Sequence, residues 1–305
     1  MTAHALPLLA ESVSKRIWRR FLRHRMAAAS ALFLIVLTVI ALAAPLSEAL
    51  LGVDGNRVDL NSRLLSPSLA HPLGTDELGR DLFIRLSHGG QVSLAVAMTA
   101  AVFSAIIGTI IGLLAGYFGG RLDSLLMRFT DGVISLPLLP LLIVLVAVDL
   151  SKLGLPDDLV QSENIALYRI IVVIALFGWT TVARLVRAET LSLKNRDFVR
   201  AAVALGASAP RIILRHILPN SVSPIIVATT LSVGNIILLE SVLSFLGMGI
   251  QPPIASWGNM LTNAQDLMWS APGLAVWPGL MIFTTVIAFN FLGDGLQDAL
   301  DPRAL

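Results

Sequence analysis

Asp197-Phe198-Val199-Arg200-Ala201-Ala202-Val203-Ala204-Leu205-Gly206-Ala207-Ser208-Ala209-Pro210-Arg211, running on to His216-Ile217-Leu218-Pro219-Asn220, lies between two long apolar runs. Asp197 is placed to cap a short helix of alanine-rich residues, and Gly206 to stop it. Ser208 is placed to cap a second helix with Pro210 in its first turn, where a missing donor costs little. Pro219 is expected to separate that helix from the apolar run that follows. The loop over 191–220 therefore predicts two short helices joined by a glycine elbow. Such an elbow can seat in a groove on a partner and pass the partner's motion on, with small residues such as Ala201, Ala202 and Gly206 allowing close approach. From the residues alone, an ordered connector without a partner is the alternative.

Outward from the elbow the chain is mostly apolar. Of 305 residues, 55% are hydrophobic and only 14% charged, with mean hydropathy +0.80. A soluble domain carries about a quarter charged residues, so this chain lacks the polar surface that water requires. Runs near the length of a bilayer crossing fall at 26–48, 91–117, 126–149, 168–190, 222–249 and 273–293. The expected fold class is an all-α polytopic membrane protein with six transmembrane helices. In the second run Gly108, Gly112 and Gly116 leave one face flat for a neighbouring helix. Pro137 and Pro140 should bend the third.

Lys15, Arg16, Arg19, Arg20, Arg23 and Arg25 precede the first run, and Ala41-Leu42-Ala43 resembles a signal-cleavage site. The run is longer than a signal's apolar region, so an uncleaved first span is expected over a cleaved signal. With the N-terminus inside, sixteen of the 22 basic residues fall on the cytoplasmic side, among them Arg121, Arg128, Arg184, Arg187, Lys194, Arg211 and Arg215. Asp54, Asp59, Asp157, Asp158 and Glu163 fall on the other. The positive-inside rule then places both termini in the cytoplasm. Trp257, Trp269 and Trp277 are expected at the outer membrane boundary. The organisation read from this is a basic N-terminal stretch 1–25, a first helix 26–48, an extracytoplasmic segment 49–90, a five-helix core 91–297 and a cytoplasmic tail 298–305.

The chain carries little chemistry of its own. It has no cysteine, and its three lysines, Lys15, Lys152 and Lys194, do not follow glycine, so the phosphate-cradling loop of nucleotide-binding proteins is absent. The five histidines are scattered, which gives no metal spacing, and no nucleophile–base–orienter set is visible. No catalytic residue, no metal and no nucleic-acid partner is expected. Glu240, read as mid-span, either lines a path or gate or makes a structural hydrogen bond to a neighbouring helix. The structural role is preferred, since one acid without an intramembrane base is not a proton relay. Asn235 and Asn290 are its candidate partners. Trp179, Thr180 and Thr181 read as packing and local backbone bonds. The loop 250–272, with Trp257, Asn259, Asn263, Gln265, Asp266 and Trp269, reads as a surface for a partner or as a solvated cap.

The spacing Ala201-Ala202, Gly206 and Leu218-Pro219 resembles the coupling loop of ATP-binding-cassette importer permeases, with Arg200 where that loop usually has glutamate. His71-Pro72-Leu73-Gly74-Thr75-Asp76-Glu77-Leu78-Gly79-Arg80-Asp81, Gly116 to Gly120, Ser244 to Gly249, Gln251-Pro252-Pro253, Ser256 to Met260, and Phe289 to Arg303 resemble the second permease of dipeptide and oligopeptide systems. The resemblance implies a type I importer-permease fold with a cytoplasmic coupling helix, in the bacterial inner membrane. It assigns Arg200, Ala201, Ala202, Gly206, Ala207, Ser208 and Pro219 to docking on the ATPase. It implies as partners a paralogous permease, two ATPase subunits that bind ATP and magnesium, an extracytoplasmic solute-binding protein and membrane lipid, with no cofactor on this chain. Di- or oligopeptide is the expected cargo, with nickel, glutathione or another small solute as alternatives. A stand-alone secondary carrier would show several intramembrane acids and perhaps inverted repeats, and an intramembrane hydrolase a catalytic pair. Neither pattern is present.

Overall fold

A computed structural model describes residues 13–300 apart from Leu155, Gln161 and Glu163, with backbone only at Val13, Ser14, Leu153, Asp157, Leu159 and Gln265. The tail motif Asp301-Pro302-Arg303 lies outside the described residues, as do Glu163 and the side chains of Asp157 and Gln265. The described chain is all-helical apart from loops and one isolated bridge between Thr75 and Asp81. In order, the helices are Val13–Arg23 (α1), Arg25–Leu42 (α2), Ala44–Leu51 (α3), Leu82–Phe118 (α4), Gly120–Ser135 (α5), Leu138–Val146 (α6) and Asp157–Val160 (α7). They continue as Ile165–Lys194 (α8), Asp197–Ala204 (α9), Ala209–Ile212 (α10), Leu218–Phe245 (α11), Ala264–Leu267 (α12) and Gly273–Leu300 (α13).

Five helices are long and apolar enough to cross a membrane, or six crossings if the bent pair α5–α6 is counted as one. That pair corrects the single continuous helix expected over 126–149, which breaks at Pro137 rather than only bending. The two helices meet at 85°, because Leu136 before Pro137 takes extended backbone, φ −74°, ψ 139°. Pro140 falls in the first turn of α6, where its missing donor does no harm. A second correction concerns Pro219, which separates nothing. Residues Ala209–Phe245 form one 37-residue helix. A π-turn over Ile213–Ile217, in which the Leu218 N–H donates to the Ile213 carbonyl, widens that helix just before the proline.

The α4 helix is the spine. It begins at Leu82, earlier than hydropathy suggests, because the Asp81 carboxylate accepts the Ile84 N–H at 2.9 Å and caps it. His71 Nδ1 lies 2.9 Å from the other Asp81 oxygen, and Asp76 accepts from the Leu78 and Arg80 N–H groups and from Arg80 Nε. The motif over 71–81 is thus a folded capping loop. At the other end of α4, the Gly108, Gly112 and Gly116 face lies directly on α8. A Cβ on Gly112 would stand 2.6 Å from the Ala183 carbonyl oxygen, and one on Gly116 would stand 2.6 Å from Thr190 Cβ. Helix α11 packs between α4 and α13, and α13 packs on α2. In the most apolar stretch of each span, at most 44% of the residues are fully buried within this chain.

Candidate coupling elbow and pore-facing residues

The elbow forms between α8 and α11, with its boundaries slightly moved. Arg196, in extended backbone, is the residue before α9. Asp197 lies in the first turn rather than acting as cap, and its carboxylate there favours the helix N-terminus. Helix α9 stops as Gly206, at φ +78°, turns left-handed. The Gly206 N–H donates to the Val203 carbonyl at 2.9 Å and the Ala207 N–H to the Ala202 carbonyl at 3.0 Å. These two bonds are the Schellman pattern. Ser208 then precedes α10 in extended backbone, with no side-chain capping bond, and Pro210 follows in the first turn.

The elbow has an inner and an outer side. Val199 and Ala202 are buried with Ile212, Ile213 and Ile217 against Val182, Val186 and Leu193 of α8. Ala202 therefore seats the elbow on its own chain and is not on the surface a partner would meet. That surface is Phe198, Arg200, Ala201 and Val203, with Leu205 88% exposed at the tip and Ser208 beyond. Ala207 is half-buried, in contact with the inner cluster, and Pro219 is exposed farther along.

Ion pairs that sequence reasoning missed lock the helices around the elbow. Arg187 on α8 makes a bidentate pair with Asp123 on α5, at 2.5 and 2.6 Å, and Arg184 pairs with Asp131. Lys194 Nζ donates to the Tyr117 carbonyl at 2.5 Å and lies over its ring. The available signal was acids and arginines recurring in matching order at the ends of neighbouring apolar runs. Besides the Phe129–Trp179 ring stack, α5 is therefore joined to α8 by ion pairs.

Glu240 is fully buried, and it is not mid-span: it lies five residues before the end of α11 at Phe245. Ser244 Oγ donates to its Oε1 at 2.7 Å and Ser93 Oγ, from α4, to its Oε2 at 3.2 Å. Each serine oxygen in turn accepts a backbone N–H from the loop after α11, Ile250 at 3.1 Å and Trp257 at 3.2 Å. Neither Asn235 nor Asn290 is a hydrogen-bond partner of Glu240. The buried carboxylate instead fastens a loop between two spans.

Trp257 is likewise corrected. Rather than presenting its ring to a membrane interface, it is wholly buried in the protein, its indole N–H donating to the Leu86 carbonyl at 3.0 Å, its ring against Gly89 and Gly90. Asn259 is spent inside the same loop, accepting the Ser256 N–H and donating to the Ile250 and Ile254 carbonyls. Of the expected amide and aromatic surface, Asn263, Asp266 and the 95%-exposed Trp269 remain outside.

Asn235 is exposed on the opposite side of α11 from Glu240. It lines a cleft of about 190 Å³ with Thr180, Thr181, Ser232, Leu138 and Phe177, between α6, α8 and α11. Trp179 donates to the Leu176 carbonyl at 2.8 Å and Thr180 to that of Phe177 at 3.3 Å, so both make the local backbone bonds expected of them. Thr180 and Thr181 also face the cleft. Sequence reasoning put Asn235 and Glu240 together, and the structure puts them on different faces. Among the described residues no group of three His, Cys, Asp or Glu could hold a metal ion.

Long apolar helices with a folded elbow between two of them fit the permease subunit of an importer driven by a separate ATPase. Residues 108–305 match the family of binding-protein-dependent transport system inner membrane components, and the chain belongs to that family. Residues 12–57 match the N-terminal transmembrane domain of oligopeptide transport permease C. The chain is similar to the glutathione transport system permease protein GsiD of Escherichia coli O6:K15:H31 (strain 536 / UPEC) and to those of Shigella boydii serotype 4 (strain Sb227) and Shigella sonnei (strain Ss046). Each is 45% identical over 287 residues, 94% of this chain and 89% of the relative.

Proposed function

We propose that this permease forms one half of the pore of an importer for small peptides, paired with a paralogous permease and fed by an extracytoplasmic binding protein. The elbow 197–217 docks on one of two ATPase subunits, which bind the ATP and magnesium. Arg200, Ala201 and Leu205 make the contact, Ala202 and Ala207 seat the helix, and Gly206 turns it. The observation that carries this is the split of α9 into a buried inner row and an exposed apolar outer row, which none of the described residues covers. Both termini lie in the cytoplasm on this reading, because the elbow and the basic N-terminal helix share that side. Residues 91–297 form the pore core, and Asn235, Thr180 and Thr181 line the path.

Peptide is favoured as cargo by the oligopeptide-permease match over 12–57, and glutathione, itself a tripeptide, by the names of the relatives. Reconstitution with the paralogous permease, the ATPases and the binding protein should give ATP-driven uptake. Competition of labelled dipeptide against glutathione then ranks the two. Uptake by this subunit alone, without ATPase, would overturn the importer reading.

A further inference from the structure

The first helix divides its surface cleanly. At about 100° per residue, Lys15, Arg19 and Arg23 form one row of α1, with Arg16 and Arg20 beside it, and Ile17, Phe21, Trp18 and Leu22 fill the other half. The apolar half is wider than the chain needs. Phe21 is buried with Ala27 and Ala299, with Ile17 packed against that cluster, and this joins α1 to α2 and the end of α13. Trp18 and Leu22, on the flank next to the lysine–arginine row, are 62% and 50% exposed. No acidic residue occurs on the helix. It ends at Arg23, and after His24 the apolar span α2 starts at Arg25, so α1 lies where that span enters the membrane.

An exposed tryptophan–leucine row beside a row of cations, at the mouth of a span, has the amphipathic order of a helix that lies in the membrane interface. We propose that α1 binds anionic phospholipid, with Trp18 and Leu22 entering the acyl boundary and Lys15 and Arg23 at the headgroup phosphates. Charge complementarity selects the anionic lipids, since each Lys or Arg at a negative surface adds attraction. The Phe21–Ala27–Ala299 contact ties that lipid-bound helix to α13. The inference does not depend on the cargo or on which face of the membrane is inside.

The test uses the full chain, which has no cysteine, as the Leu22→Cys variant carrying an environment-sensitive fluorophore in phosphatidylcholine vesicles with increasing phosphatidylglycerol. Emission should shift to the blue as phosphatidylglycerol rises and be quenched by lipid bearing a nitroxide near the headgroup. The same probe at Leu205→Cys, also exposed and apolar, should not respond. Lys15→Gln and Arg23→Gln, added singly to the labelled chain, should each lower the ratio of lipid-buried to water-exposed probe at a fixed phosphatidylglycerol content about five-fold. A probe that ignores phosphatidylglycerol and escapes the quencher would overturn the proposal. So would a probe shielded only when ATPase subunits are added, because α1 would then be a protein-docking surface.

Discussion

Ser93 on α4 and Glu240 on α11 are 147 residues apart in sequence and joined by a 3.2 Å hydrogen bond from hydroxyl to carboxylate. The bond matters through what stands behind it, for Ser93 also accepts the Trp257 N–H, as Ser244 accepts that of Ile250. Glu240 is the acceptor at the centre of two such relays, and through them the loop over 250–257 is held against both spans.

Glu240→Gln keeps one acceptor and gains donors, so assembly should persist and transport fall only modestly. Glu240→Ala leaves both serine hydroxyls without their acceptor, at a cost on the order of 1–3 kcal/mol each. It should lower the thermal midpoint of the purified chain and expose the buried Trp257 to aqueous quenchers. Complete loss of transport by Glu240→Gln with normal assembly would show that the charge itself is required, against the structural role.

The glycine face of α4 tolerates no side chain. Gly112→Ala places its methyl 2.6 Å from the Ala183 carbonyl oxygen and 2.7 Å from Val186 Cβ. The helices must separate, at a cost of about 1–3 kcal/mol as in other overpacked cores. Less folded protein should be recovered by fluorescence-detected size exclusion. Gly132→Ala, with nothing within 4 Å of the added carbon, is the matched control and should behave as the parent.

Much of this architecture was legible in composition and hydropathy, because bilayer thickness sets span length and small-residue spacing sets helix approach. The elbow was legible too, since Gly206 and Pro210 are local signals. What stayed hidden depends on tertiary partners. The 85° break at Leu136-Pro137 could be read only as a bend. The π-turn just before Pro219 has no sequence signature. Ala201 and Ala202 look alike in sequence, and only the packing of Ile212 and Ile217 shows which of them faces inward. Trp257 was misread because aromatic rings near a loop prefer interfaces, whereas here Gly89 and Gly90 open a pocket for it in the core.

Orientation is tested by single cysteines in the Cys-free chain. Lys152, 82% exposed, and Leu205, 88% exposed, lie on opposite sides if the arginine asymmetry sets topology. In intact cells an impermeant maleimide added outside should label Lys152→Cys and leave Leu205→Cys unlabelled until the membrane is opened. The reverse pattern would invert the topology and remove the elbow from the ATPase side.

Coupling gives the sharpest test, because the elbow's geometry separates strain from contact. Nothing lies within 4 Å of a Cβ built on Gly206, yet its φ is +78°. A substitution there acts through backbone conformation and not through a clash inside this chain. Gly206→Val should cost on the order of 1–3 kcal/mol of local strain, undo the Schellman stop and tilt the outer row of α9. ATPase association should weaken and solute-stimulated hydrolysis be lost, with membrane insertion and permease pairing intact. Gly206→Asn, which tolerates the left-handed region better, should retain most coupling. Cysteines at Ala201 and Leu205 should cross-link to the ATPase with yields that change with nucleotide, while Ala202→Cys, buried, should not. Parental coupling in Gly206→Val together with no cross-link from Phe198, Ala201 or Leu205 would mean that the elbow is a connector only, and the ATPase contact would then have to lie on another surface of the chain.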